Sequence, residues 1–312
     1  MKTSNQSSFQ KSPTVLCFNP RRNPRSSYQH MFLEDFCLRF SIDLAKDKKD
    51  RQFYGVLPEG SRLKELLTSQ NYDFLEYDMD KLLTHIMRTL IFAGKAFVEV
   101  VVSSDEENNI TGISLVPFDP ILSIRGRHNT YFVAIQRNWK LKFFKIDNRN
   151  IVLFHLSALG FRRYSLRRFY NNLPHFDMPS IGDMALSPQE IGFDFSVWND
   201  KREYKLLKAS KKTGWHGRGT DNPYMGDAYL LYRAIQLKSL RRRFLDYFLG
   251  QINQSISSVC NDKEINGAII AKKIDYDYDE LLKKLNSGEI NYSQLGDCVF
   301  HNKDILERLA KL

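Results

Sequence analysis

The sequence predicts an α+β protein: an antiparallel-sheet domain, then a long amphipathic helix and a small C-terminal helical region. Three observations carry this. Met79, Leu82, Leu83, Ile86 and Leu90 recur at three- and four-residue spacing, which lines one face of a helix. Short β-branched and aromatic runs follow one another from Ala96 to Leu156. Leu230, Ala234, Leu237, Leu240, Phe244, Phe248 and Ile252 then hold a second helical stripe for about seven turns. A helix followed by several short strands favours an antiparallel sheet over alternating βα units.

Taken in order, residues 1–30 are rich in Ser, Asn, Gln, Pro and Arg, including Pro20-Arg21-Arg22-Asn23-Pro24-Arg25. They offer little to bury and read as a disordered basic arm. Phe32, Leu33, Phe36, Leu38 and Phe40 give residues 31–57 some capacity for order, with helix and strand both open. The first helix opens near Asp78 and stops at Gly94. Strands are expected at Ala96–Val102, Ile113–Phe118, Ile121–Ile124, Tyr131–Gln136, Trp139–Ile146 and Ile151–Leu156, with a polar turn at Asp105-Glu106-Glu107-Asn108-Asn109. Prolines, glycines and charges over 157–226 predict long loops with short helices, so 31–226 forms one α+β domain with long basic loops. Asp227 opens the long helix, whose opposite face carries Arg233, Lys238, Arg241 and Arg242, with Arg243 beside them. A last helix over 276–286 has Asp277 as N-cap, Glu280 completing a capping box and Gly288 as its stop, within a C-terminal region 227–312.

Composition narrows the function. At 42% hydrophobic and 13% aromatic, 312 residues can build one large core or two ordinary ones. The first residues lack the apolar segment of a secretory signal. The most apolar run, Ala96–Val102, is too short for a membrane span and contains Glu99, so no membrane partner is expected. Cys17, Cys37, Cys260 and Cys298 are far apart, a pattern of reduced thiols in a cytoplasmic protein. The net charge of +10 is segregated. Residues 1–52 carry net +5 and 137–243 net +12, while 53–136 carry −4 and 244–312 carry −3. Such asymmetry points to a polyanionic partner, although solubilising loops also produce basic stretches.

No metal or cofactor is expected. The seven histidines form no close pair and no H-E-x-x-H motif. Asp275, Asp277 and Asp279 alternate as in a calcium loop, but Glu280 stands where that loop needs glycine and Asn286 where it needs glutamate. The helix-cap reading fits better. Gly214-Trp215-His216-Gly217-Arg218-Gly219 matches neither a Walker loop nor a dinucleotide fingerprint, and reads as a flexible basic loop. With Lys211, Lys212 and Arg218 it has the means to clamp a phosphate backbone. Arg162, Arg163 and Arg167 interleave with Phe161, Tyr164 and Tyr170. Arginines hold phosphates and rings stack on bases. The same spacing suits a helix that turns Leu159, Leu166, Tyr170 and Leu173 to the core while the arginines snorkel. The candidate DNA contacts are thus Arg162, Arg163, Arg167, Lys211, Lys212, Arg218, Lys238, Arg241 and Arg242, with no catalytic residue among them.

Within residues 66–122, Leu66-Leu67-Thr68-Ser69-Gln70-Asn71 precedes a helix that runs into Leu90-Ile91-Phe92-Ala93-Gly94-Lys95-Ala96-Phe97-Val98-Glu99-Val100. This passage from apolar helix through glycine to strand resembles that of the HK97-like portal protein family of tailed bacteriophages. Ile113-Ser114-Leu115-Val116-Pro117-Phe118-Asp119-Pro120 looks like its proline–x–aspartate–proline segment, and Ile151–Leu156 resembles its histidine-bearing strand. Asn222-Pro223-Tyr224 before the long helix stands where the family has a Ser-Pro-Leu-like turn. The resemblance implies a compact or divergent portal subunit: a wing-like domain, a stem-like helix, and a homo-oligomeric ring through which double-stranded DNA passes during packaging and ejection. It implies a separate packaging ATPase and capsid proteins as partners, and a place in the host cytoplasm or the virion. The alternatives are a DNA-processing enzyme, such as a nuclease or a replication protein of a mobile element, and a monomeric nucleic-acid-binding module.

Overall fold

The computed structural model describes residues 24–37, 54–68, 75–107, 109–135, 141–176, 195–217, 227–260, 265–271 and 277–299. The fold is mixed helix and antiparallel sheet. The described residues divide into two compact units. The first takes those within Tyr54–Leu156 and Phe248–Ile270, the second those within Asn23–Phe53, Ser157–Tyr247 and Ala271–Leu312.

The first unit begins with strand β1 (Tyr54–Leu57) and helices α2 (Arg62–Thr68) and α3 (Leu75–Ala93). In α3 the stripe of Met79, Leu82, Leu83, Ile86 and Leu90 is buried. Gly94 ends the helix at φ +71°, with its N–H bonded to the Leu90 carbonyl. The chain then enters β2 (Lys95–Ser104) and turns into β3 (Ile110–Phe118). Strand β2 is the centre of an antiparallel sheet, β3-β2-β7, where β7 is Ile151–His155. A second antiparallel sheet has the order β4-β5-β6, from Leu122–Arg125, Asn129–Ile135 and Leu141–Asp147. Rings join the two sheets. Phe97 and Phe118 pack on Phe132 at centroid distances of 5.3 and 5.0 Å, with Phe144 and Ile146 completing the cluster. Strand β1 pairs with β8 (Ala268–Ala271). The Asn253 side chain holds β8 by bonding both the N–H and the carbonyl of Ile269 at 2.8 Å.

Asp119 explains one part of the proline–x–aspartate–proline segment. It is buried at the end of β3 and accepts a 2.8 Å bond from Thr89 Oγ1 of α3, with His85 Nε2 at 3.3 Å. The acid thus ties the strand back to the helix that precedes it.

Glu99 lies on β2 between Val116 and Ile151, and one of its carboxylate oxygens is buried without a hydrogen-bond partner. Burial pushes its pKa up from 4.5 to about 7. Between those values the folded protein keeps a proton that the unfolded chain has released. Stability therefore falls as pH rises through this window and stays lower above it. Allowing for the group's partial exposure, the loss is about 1–2 kcal/mol. Glu99→Gln is expected to remove this slope and to melt higher than the wild type at pH 8. Thermal melts of both proteins at pH 4.5 and pH 8 check it, and parallel slopes would contradict it.

In the second unit, helix α1 (Ser27–Cys37) reaches into the segment 1–30 expected to be a disordered arm. Tyr28 packs edge-on to Trp215, and the Gln29 amide donates to the Tyr170 carbonyl, so these residues belong to the core. Residues 1–23 of that segment lie outside the described residues. Helix α4 (Ser165–Asn172) buries Leu166, Phe169 and Tyr170. Helix α5 (Phe195–Ser210) has sixteen residues, in a stretch where long loops with short helices were expected. The long helix α6 runs from Asp227 to Val259, about nine turns. It contributes residues up to Tyr247 to this unit and those from Phe248 to the first. Helix α7 (Tyr278–Ser287) is capped by Asp277, which accepts from the N–H groups of Asp279 and Glu280, and closed by Gly288 at φ +78°. Its Glu280 carboxylate pairs with Lys284 at 2.7 Å. Helix α8 (Tyr292–Val299) follows, and Leu295 packs with Tyr278 and Ile235.

Candidate nucleic-acid interface

The second unit is organised by aromatic rings. Phe32 stacks on Phe36 at 4.9 Å and meets Phe169 and Trp215 edge-on at 5.2 Å, while Phe36 and Phe161 both lie against Phe244. These contacts fix the inner face of α4 and so decide which way its cations point. Arg162 and Arg163 in the preceding turn, and Arg167 and Arg168 on the helix, are exposed. The Arg163 guanidinium stands 4.9 Å from the Tyr164 ring centre. Leu166, Tyr170 and Leu173 are buried and Leu159 is half-buried, so the segment has both an apolar inner face and an open cationic one.

The glycine-rich stretch differs from the flexible loop expected. Residues 213–217 are packed, and Trp215 is only 1% exposed. The Gly214 N–H and the Thr213 hydroxyl both donate to the Ser210 carbonyl, and the Trp215 indole N–H donates to Asp35 at 3.0 Å. Gly214 at φ +74° lets the loop lie directly on the backbone of α6, and Gly217 at φ +81° faces the Tyr28 ring. The glycines therefore serve close packing, and no phosphate cradle is formed by these residues. Lys211 and Lys212 are exposed at the start of the loop, beside the exposed Lys205 and Lys208 of α5. The Lys211 carbonyl accepts from Gln236 of α6 at 3.0 Å, which anchors that corner. Arg218 lies outside the described residues.

The long helix also departs from expectation. Arg241 was expected to be open to polyanions, but it is 6% exposed and its guanidinium donates to the Asp35 carbonyl. Arg233, on the same expected polar face, is 1% exposed and donates to Ser210 Oγ at 2.7 Å and the Trp215 carbonyl at 3.0 Å. Neither bond goes to a carboxylate, and burial lowers its pKa from the usual guanidinium value. The helix is enclosed on more than one side, and these guanidiniums serve as donors that orient the packed loop and α1. Lys238 is half-buried with its ammonium 5.8 Å from the Tyr278 ring centre, and Arg242 pairs with Asp246 one turn on, at 3.0 Å. Both cations are held by neighbours within their own unit.

Among the described residues, no group of three or more His, Cys, Asp or Glu is placed to hold a metal ion, and no helix is long and apolar enough to cross a membrane. Cys37 and Cys260 are buried. Among its described residues the second unit exposes an arginine cluster around α4 and a lysine cluster at the end of α5.

No family model matches the chain, and none of the curated proteins does. Among solved structures, the chain is similar to an HK97 family phage portal protein from Corynebacterium diphtheriae, at 11% identity over 87% of this chain and 98% of that one, with a TM-score of 0.32. A similarity of that size does not fix the role, which has to be argued from the residues.

Proposed function

We propose that the chain is a structural subunit of a phage or prophage portal-like ring through which double-stranded DNA passes. The observation that carries the reading is the succession in the first unit. Helix α3, Gly94, strand β2, the hairpin and β3 lead to Pro117-Phe118-Asp119-Pro120, in the order the resemblance implies, with Asp119 tied back to Thr89. The first unit then takes the wing-like part and the 33-residue helix the stem-like part. The clusters around α4 and at the end of α5 would touch phosphate backbones without reading sequence. The ring would meet a packaging ATPase and capsid proteins, in the host cytoplasm and later in the virion. Light scattering tests the reading. A particle many times the 36.5 kDa chain mass is expected at micromolar concentration. A single 36.5 kDa species at every salt and concentration would overturn it, and magnesium-dependent cleavage of plasmid DNA would favour a nuclease instead.

A further inference from the structure

The sheet β4-β5-β6 carries large apolar side chains on both faces. One face carries Phe132, Phe144 and Ile146 into the core. The other carries the alternate residues. Leu122, Val133 and Phe143 lie in one row across the three strands, and Ile124, Tyr131 and Lys145 in the next. This face is open: Phe143 is 74% exposed, and Leu141, Ile124, Tyr131 and Leu122 are exposed by half or more. Together they present on the order of 500 Å² of apolar surface, the size of the largest patch on a typical monomer and a large share of one partner's side of a standard interface.

The surrounding charge says what covers it. Residues 121–147 carry six Lys or Arg and one acid, Asp147, which is paired with Arg149 at 3.0 Å. Lys145 is exposed in the row of Ile124 and Tyr131, and Arg127 is exposed in the turn between β4 and β5. A basic, apolar face repels the basic segment 1–22 of its own chain, which has four Lys or Arg and no acid. It would equally repel an identical face turned against it. The complementary surface lies elsewhere in the same unit. Residues 96–120 hold no Lys or Arg, and the tip of the β2–β3 hairpin exposes three acids, Asp105, Glu106 and Glu107. The second sheet packs at the Phe97 and Phe118 end of β2 and β3, and Phe118 pairs with Phe97 there. The acidic tip is at the other end of these strands, about 25 Å away. It therefore cannot serve the basic rim of its own copy.

We infer that the open face of β4-β5-β6 receives the acidic β2–β3 hairpin of a second copy of this chain, head to tail. A contact between two different surfaces of one subunit repeats from copy to copy and closes into a ring when the rotation allows. The inference deepens the ring reading and rests on it.

Assembly of the full chain, measured by light scattering, tests it. Phe143→Asp changes an exposed side chain, so the melting temperature should hold while the concentration for half-assembly rises at least about 30-fold. Arg127→Glu with Lys145→Glu, and separately Glu106→Lys with Glu107→Lys, should each abolish assembly, and mixing the two variants should restore it in alternating order. A wild type that never assembles would overturn both this contact and the ring. A wild type that assembles while Phe143→Asp assembles equally well would overturn the contact and leave the ring standing. If that variant instead melts markedly lower, the chain's own residues cover the face and the inference falls. Normal assembly of the Glu106→Lys, Glu107→Lys variant would overturn the head-to-tail arrangement.

Discussion

Gly214→Ala is expected to cost the second unit at least about 3 kcal/mol. Two effects add. The residue sits at φ +74°, where an L side chain pays about 1–2 kcal/mol. A Cβ there would also lie 2.6 Å from the Arg233 carbonyl oxygen and 2.6 Å from the Leu237 nitrogen, both backbone atoms of a continuous helix that cannot step aside. The loop would have to lift, and with it Trp215, which meets Phe32, Phe169 and Tyr28. A loss of this size is a large part of a domain's whole stability. Gly160→Ala is the control. Its φ is +78°, but nothing lies within 4 Å of the added Cβ, so only the conformational cost of about 1–2 kcal/mol should appear. Urea unfolding of both variants measures the difference. Equal, small losses would mean that the loop does not bear on the helix as described.

The second large effect is on DNA. Arg162→Gln, Arg163→Gln and Arg167→Gln combined should lower the affinity for random-sequence duplex roughly 100-fold at physiological salt. The slope of log affinity against log salt should become shallower by about 2 to 3, since each lost phosphate contact releases fewer counterions. All sequences should suffer alike. The fold should survive, because the three side chains are exposed and the stacking of Arg163 on Tyr164 contributes about 0.5 kcal/mol at a surface. Substituting Lys238 and Arg242 should do much less, because each is already held by a neighbour of its own unit. Filter binding over a salt series separates the two sets, and unchanged slopes for the triple variant would remove α4 from the DNA path.

The regular elements were legible where local chemistry alone decides them. The β-branched runs from Ala96 to Leu156 became strands within a few residues of their expected limits. Gly94, Asp277 and Gly288 ended or opened helices through backbone conformation and capping that need no tertiary contact. Helix α5 escaped because its inner face is polar in part: Glu203, Leu206 and Ser210 point inward, and only one of them is apolar. Arg233 and Arg241 were misjudged for a related reason. Periodicity assigns charged residues to solvent, and it cannot foresee a loop and a helix returning from far along the chain with carbonyls for a guanidinium to bond. Gly214 to Gly217 looked like freedom in the sequence and is close contact in the fold. The open apolar face of β4-β5-β6 was not read from the strand pattern, because which residues of alternating strands stay open depends on how the sheets pack. The arginines of the Phe161–Tyr170 run were left balanced between core helix and DNA contact, and the segment has a buried apolar face and an exposed cationic one.

The central proposal is a ring with a passage for DNA, and negative-stain electron micrographs of the purified full chain test it most directly. Annular particles of uniform diameter, with an open centre at least about 20 Å across to admit a duplex whose major groove alone is about 12 Å wide, are the expected result. Fields of small, solid particles of single-chain size, unchanged when the protein is concentrated, would contradict it.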